Sequence, residues 1–126
     1  MARSFLTGGS LVLADRIVGG HTLVIEGGRI VDIAGGPRAV TAGETRVDVG
    51  GCLVVPGFID VHVHGAAGTD VMDGPDAVAA VAAALPRWGV TAFCPTSIAC
   101  APRALDGFLD GVGRLRAAQA SSGGAR

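Results

Sequence analysis

Apolar residues in the first fifty-odd positions come in short runs broken by glycine, the pattern of small β-strands. Leu11-Val12-Leu13, Thr22-Leu23-Val24-Ile25-Glu26 and Arg29-Ile30-Val31-Asp32-Ile33 each predict a strand. Gly27-Gly28 joins the last two and can supply the positive φ of a two-residue hairpin. Gly35-Gly36-Pro37 ends that hairpin. Arg46-Val47-Asp48-Val49 and Cys52-Leu53-Val54-Val55 predict a further pair around Gly50-Gly51. This region reads as antiparallel.

At Pro56-Gly57 the pattern changes to alternating strand and helix. Phe58 to His64 is a strand. Ala77, Val78, Val81, Leu85 and Trp88 recur at helical spacing, which predicts a helix over Asp76 to Trp88. Pro75 suits its first turn, and Pro86 should kink it or end it early. Val90 to Cys94 is a second strand, closed by Pro95. Leu105, Phe108, Leu109, Val112 and Leu115 predict a second helix over Pro102 to Gln119, followed by the polar Ser121-Ser122-Gly123-Gly124. Strand, helix, strand, helix implies parallel strands and the α/β class. A (β/α)8 barrel needs about 250 residues, and the stretch from Phe58 onward suffices for two of its eight units. Two parallel strands alone leave an unpaired edge, so the expectation is the opening piece of a larger protein.

The candidate chemistry sits at the end of the first of these strands. Side chains alternate along an extended strand, so Asp60, His62 and His64 face one way and Ile59, Val61 and Val63 the other. The histidine Cα atoms then lie roughly 6.6 Å apart at about 3.3 Å per residue, close enough for both imidazoles to meet one metal ion. The apolar opposite face predicts a buried strand with helices packed behind it. An isolated His-x-His is more often solvated at a strand end. The preceding Pro56-Gly57-Phe58-Ile59-Asp60 shifts the balance toward a metal.

Composition narrows the rest. Hydrophobic residues make up 49% of the chain, ample for a core, and the net charge is −1. Ten arginines and no lysine form no basic stripe, so nucleic acid has no electrostatic footprint. Cys52, Cys94 and Cys100 lack the spacing of a disulfide framework or zinc knuckle. Cys52 and Cys94 are expected as small buried hydrophobes. His21 is expected on the surface. No signal peptide and no apolar run near the roughly 20 residues of a membrane span occur, so the expectation is a cytoplasmic protein without a membrane partner.

Pro56-Gly57-Phe58-Ile59-Asp60-Val61-His62-Val63-His64 resembles the first barrel strand of the amidohydrolase superfamily. The loop His64-Gly65-Ala66-Ala67-Gly68-Thr69-Asp70-Val71-Met72-Asp73 and the segment Gly89-Val90-Thr91-Ala92-Phe93-Cys94-Pro95-Thr96-Ser97 are similar to the corresponding parts of N-acetylglucosamine-6-phosphate deacetylases. Ile25-Glu26-Gly27-Gly28-Arg29-Ile30 matches strands of their small β-sandwich. The resemblance implies the first two βα units of a (β/α)8 TIM-type barrel preceded by strands of a small β-sandwich. Residues 1–55 would belong to the sandwich and 56–126 to the barrel, which stops before strand three near Gly124-Ala125-Arg126.

By the same resemblance, the activity would be hydrolysis of the acetamide of N-acetylglucosamine 6-phosphate to glucosamine 6-phosphate and acetate. His62 and His64 would be metal ligands, and Asp60 a carboxylate bonded behind those ligands or, better, a structural one. The cofactor would be a divalent ion (zinc, iron or similar), one or two per complete site. The partner would be a small amino-sugar phosphate, and the complete enzyme a homo-oligomer. Thr96 and Asp70 stand where they could shape the pocket, with loop and cap hydrogen bonding the favoured role. No glutamate follows His64. The family's strand-three glutamate, later histidines, catalytic aspartate and phosphate-gripping residues have no counterpart, so no catalytic residue is assigned and the chain alone should be inactive. The alternatives are another amidohydrolase acting on a different amide, or a non-catalytic remnant that binds a partner through its sheet edge.

Overall fold

The computed structural model describes residues 3–119, and Ser121–Gly124 and the approach to a third strand at Gly124–Arg126 lie outside them. The chain is mixed α/β and divides after Pro56 into two compact units.

The first unit holds seven strands: β1 (Arg3–Thr7), β2 (Ser10–Val12), β3 (Ile17–Val18), β4 (His21–Glu26), β5 (Arg29–Gly35), β6 (Thr45–Asp48) and β7 (Leu53–Val54). They form a four-stranded sheet, β5-β4-β1-β6, and a three-stranded sheet, β3-β2-β7. The β4–β5 hairpin turns at Gly27-Gly28 with φ of 58° and 75°, a conformation that costs glycine nothing. Phe5, Leu11, Leu23 and Val24 are buried. Buried Thr22 satisfies its hydroxyl on the Gly36 carbonyl (2.9 Å), and Thr7 accepts from the Arg46 guanidinium (3.0 Å).

Two expectations are corrected here. Residues 46–49 and 52–55 do not pair with each other. β6 runs parallel to β1, and β7 runs parallel to β2, in different sheets. The chain passes from one sheet to the other at Gly8-Gly9 and again alongside at Gly50-Gly51. A Cβ at Gly9 would stand 2.9 Å from the Val49 carbonyl oxygen, so the two crossings touch through bare backbone. Val49 N donates to Thr7 O and Ser10 N to Cys52 O, which carries the pairing across the bend. The second correction concerns Cys52 and Cys94, which are exposed, as is Cys100. Cys52 lies in the bend before β7 rather than under a sheet face.

The second unit contains β8 (Phe58–Val63), a tight hairpin of β9 (Gly65–Ala66) and β10 (Thr69–Asp70), a 3-10 turn (Val71–Asp73), α1 (Pro75–Ala84), a second 3-10 turn (Leu85–Trp88), β11 (Val90–Pro95) and α2 (Pro102–Ala118). β8 and β11 pair in parallel. Pro75 opens α1, and Pro86 ends it: lacking an N–H, it forces the chain into the tighter 3-10 form. Gly89, left-handed at φ 78°, closes that turn by donating to the Pro86 carbonyl. The core consists of Val63, Val71, Val78, Val81 and Leu85, with Phe93, Phe108, Val112 and Leu115 packed against it. Burying each such side chain contributes about 1.5–3 kcal/mol. Gly111 lets α2 approach Pro75, where a Cβ would stand 3.1 Å from the ring. Leu109, expected on the inner face of α2, is exposed, and so is Trp88.

β8 departs from the expected buried strand. Val63 is 5% exposed, whereas Phe58, Ile59 and Val61 are 60%, 70% and 71% exposed. α1 and its flanking turns cover only the C-terminal end of the strand, and β11 pairs with one of its edges. No helix among the described residues is long and apolar enough to cross a membrane.

Candidate metal centre

His62 and His64 meet at the covered end of β8. Their Nε2 atoms lie 3.0 Å apart, and the rings stand edge to face at 73° with centroids 4.8 Å apart. Val63, between them in sequence, turns the other way into the helix-packed core. The imidazoles therefore converge on the face opposite the helices.

The surrounding bonds explain why they hold this pose. Nδ1 of His64 lies 2.9 Å from the Thr96 carbonyl oxygen. A carbonyl only accepts, so Nδ1 is the donor, and the neutral tautomer this selects has its lone pair at Nε2. Nε2 of His62 then donates across the 3.0 Å gap. Asp60 accepts from the backbone N–H of His62 at 3.1 Å, so its carboxylate fixes the main chain and bonds neither ring.

Thr96 ties β11 to β8 through four bonds. Its N–H donates to Val63 O (2.8 Å) and its carbonyl accepts from His64 Nδ1. Its hydroxyl accepts from Val63 N (3.2 Å) and donates to Cys94 O (3.0 Å). This residue stands where the ladder fails: the register shifts between Phe93 and Pro95, and Pro95 has no N–H to give. The hydroxyl thus adds a side-chain acceptor for the N–H of buried Val63, whose residue is also laddered to Pro95. Sequence reading placed Thr96 in a loop and missed its hold on His64. A hydroxyl directly after a strand-ending proline was the available signal.

On the other side of His64 the chain turns back at once. Val71 N donates to His64 O, and Asp70 caps the 3-10 turn by accepting from Met72 N at 2.8 Å. Between β9 and β10, Ala67 sits at φ 52°, the one non-glycine residue in the left-handed region among those described. Gly65 lies so close under the Thr69 carbonyl that a Cβ there would overlap it. His64, Gly65, Ala66, Gly68, Thr69 and Asp70 line an open depression of about 380 Å³. His21, the remaining histidine, belongs to the other unit and bonds the Gly19 carbonyl.

The pair fits part of a metal site. With metal–nitrogen bonds of about 2.1 Å, nitrogens 3.0 Å apart subtend about 90° at an ion. A tetrahedral angle asks them to part by a few tenths of an ångström. Catalytic zinc ordinarily has three protein ligands, and among the described residues no third His, Cys, Asp or Glu joins these two.

No protein-family model matches the chain. Among curated proteins it is 38% identical over 102 residues to the N-acetylglucosamine-6-phosphate deacetylase of Bos taurus, covering 74% of this chain and 22% of that protein. The human enzyme of the same name is 37% identical over 106 residues, 77% of this chain and 23% of that protein. The chain thus spans less than a quarter of the length of these relatives. Among solved structures, N-acetyl-D-glucosamine-6-phosphate deacetylase of Mycobacterium smegmatis, in complex with N-acetyl-D-glucosamine-6-phosphate, superposes with a TM-score of 0.78 at 25% identity. It covers 93% of this chain and 30% of that one. The Pasteurella multocida enzyme shares the fold, with a TM-score of 0.81 at 19% identity over 98% of this chain and 32% of that one. The chain is a relative, over this part of their length, of the N-acetylglucosamine-6-phosphate deacetylases of the amidohydrolase superfamily.

Proposed function

We propose that this chain contributes the first metal-ligand pair of a divalent-metal-dependent deacetylase that hydrolyses the acetamide of N-acetylglucosamine 6-phosphate. In this reading 56–126 are the first two βα units of a (β/α)8 barrel and 1–55 are strands of a small β-sandwich. The observation that carries it is the convergence of the His62 and His64 Nε2 atoms opposite the helix-packed face. Relatives named for this reaction, at 37–38% identity, supply the substrate class.

His62 and His64 would hold the ion through Nε2, His62 in the tautomer with its proton on Nδ1, with His64 oriented by the Thr96 carbonyl and the His62 backbone fixed by Asp60. When bound, a divalent cation such as zinc or iron supplies Lewis-acid polarisation of the amide carbonyl and makes water a stronger nucleophile near neutral pH. The departing amine needs a proton from a positioned acid. Asp60 is committed to backbone, so that acid, the remaining ligands and the groups that grip phosphate belong to the parts of the relatives this chain does not span. The enzyme is assigned to the cytoplasm and to a homo-oligomer, acting on a small molecule.

A broader amidohydrolase reading has its own support. An imidazolonepropionase of Thermoplasma acidophilum is 44% identical over 63 residues, and an N-acetylgalactosamine-6-phosphate deacetylase of Escherichia coli O157:H7 is 39% identical over 79. The test is zinc binding by the chain, followed on the histidine ring resonances, with acetate release from N-acetylglucosamine 6-phosphate measured alongside. Expected are binding that disappears in His62→Ala and His64→Ala, and no acetate from the chain alone. Zinc binding that survives both substitutions overturns the ligand assignment. Acetate release by the chain overturns the division of catalytic groups.

A further inference from the structure

We propose that Thr96 is a positioning residue that acts through His64, its hydroxyl holding the carbonyl that fixes which ring nitrogen of His64 is free. Three observations carry this. The Thr96 carbonyl oxygen is 2.9 Å from Nδ1 of His64. The Thr96 hydroxyl is doubly engaged, accepting from Val63 N and donating to Cys94 O, so the residue is clamped to both strands at the level of the histidines. The ladder here is irregular, because the register slips between Phe93 and Pro95 and Pro95 has no N–H to give, so the hydroxyl supplements it.

A neutral imidazole exchanges its proton between two nitrogens unless a partner selects one. Here an acceptor at Nδ1 leaves the Nε2 lone pair facing His62. Loss of the hydroxyl leaves Thr96 held to Val63 by its backbone N–H alone, so the carbonyl is fixed less firmly, the Nδ1 acceptor drifts, and both tautomers become populated. The consequence for metal binding rests on the ligand reading above; the tautomer itself does not. Outer partners of ligating histidines ordinarily change metal affinity 10–100-fold.

The experiment uses the whole 126-residue chain, ¹⁵N-labelled, as wild type, Thr96→Ser and Thr96→Val. Long-range ¹H–¹⁵N spectra assign the protonated nitrogen of His64 at about pH 8, and zinc is then titrated in. Wild type and Thr96→Ser should show proton on Nδ1 alone and bind zinc within about twofold of each other. Thr96→Val should show mixed tautomers and bind about tenfold more weakly. A wild-type His64 protonated at Nε2 overturns the proposal whether or not the valine variant folds. So does a folded Thr96→Val with unchanged tautomer. If wild type binds no zinc, the ligand reading fails, and the tautomer comparison still decides the role of Thr96.

Discussion

The two ends of β8 are made from similar residues and have opposite fates. At the C-terminal end Val63 is buried, Thr96 bonds its backbone on both sides, and the chain folds back through the β9–β10 hairpin onto His64. At the other end Phe58, Ile59 and Val61 stand largely in solvent, although Phe58 N is bonded to Gly89 O. Apart from Asp60, what organises the histidine end comes from the next fifty-odd residues of the same chain. The ligand pair is thus locally determined, while among the described residues no local element covers the apolar side chains at the strand's other end.

The largest expected effect separates the two ends directly. Val81→Asp places a charge in the core beneath Val63 and should cost about 4 kcal/mol or more, whereas Val61→Asp should stay within about 0.5 kcal/mol. Denaturant unfolding followed by the fluorescence of Trp88, the sole tryptophan, measures both. Equal losses would erase the contrast. Next in size is Gly65→Ala, whose methyl meets the Thr69 carbonyl and should cost about 1–3 kcal/mol. The same unfolding curves read it, and broadened His64 ring signals would place the damage at the covered end. Ala67→Gly should act oppositely, relieving the left-handed strain and stabilising the hairpin by about 1 kcal/mol.

The smallest effect is a control remote from β8. The N–H of Thr41, then its hydroxyl, hold the Glu44 carboxyl below its ordinary 4.5. A depressed carboxylate stabilises its loop above 4.5, and that contribution is lost as pH falls through the lower folded value. Amide exchange at Thr41 should therefore quicken in acid in wild type and be pH-independent, beyond intrinsic exchange, in Glu44→Gln. His62 and His64 ring signals should not respond to that substitution.

Features with a local cause were legible from sequence. Both helices, the Gly27-Gly28 hairpin and the early end of α1 at Pro86 follow from spacing and single residues, as does the common face of His62 and His64. Features that depend on a distant partner were not. β1 went unread, since nothing in Arg3–Thr7 announces that β4 and β6 will flank it. Residues 46–49 and 52–55 look like hairpin arms because a glycine pair between apolar runs serves a reversal or a crossing equally well. Ile59 and Val61 carry the composition of an interior strand, but burial requires a cover that composition cannot supply.

The paired glycine crossings also set an order in time. The β4–β5 hairpin joins neighbours and can close within microseconds. β1 and β2 can pair early with β4 and β3 but must wait for their second partners, β6 and β7, roughly forty residues further on, so that closure is the slow, entropically costly event of the first unit. During synthesis the opening strands therefore stay half-matched until Val54 has emerged, and the nascent chain is most vulnerable to misassociation in that interval.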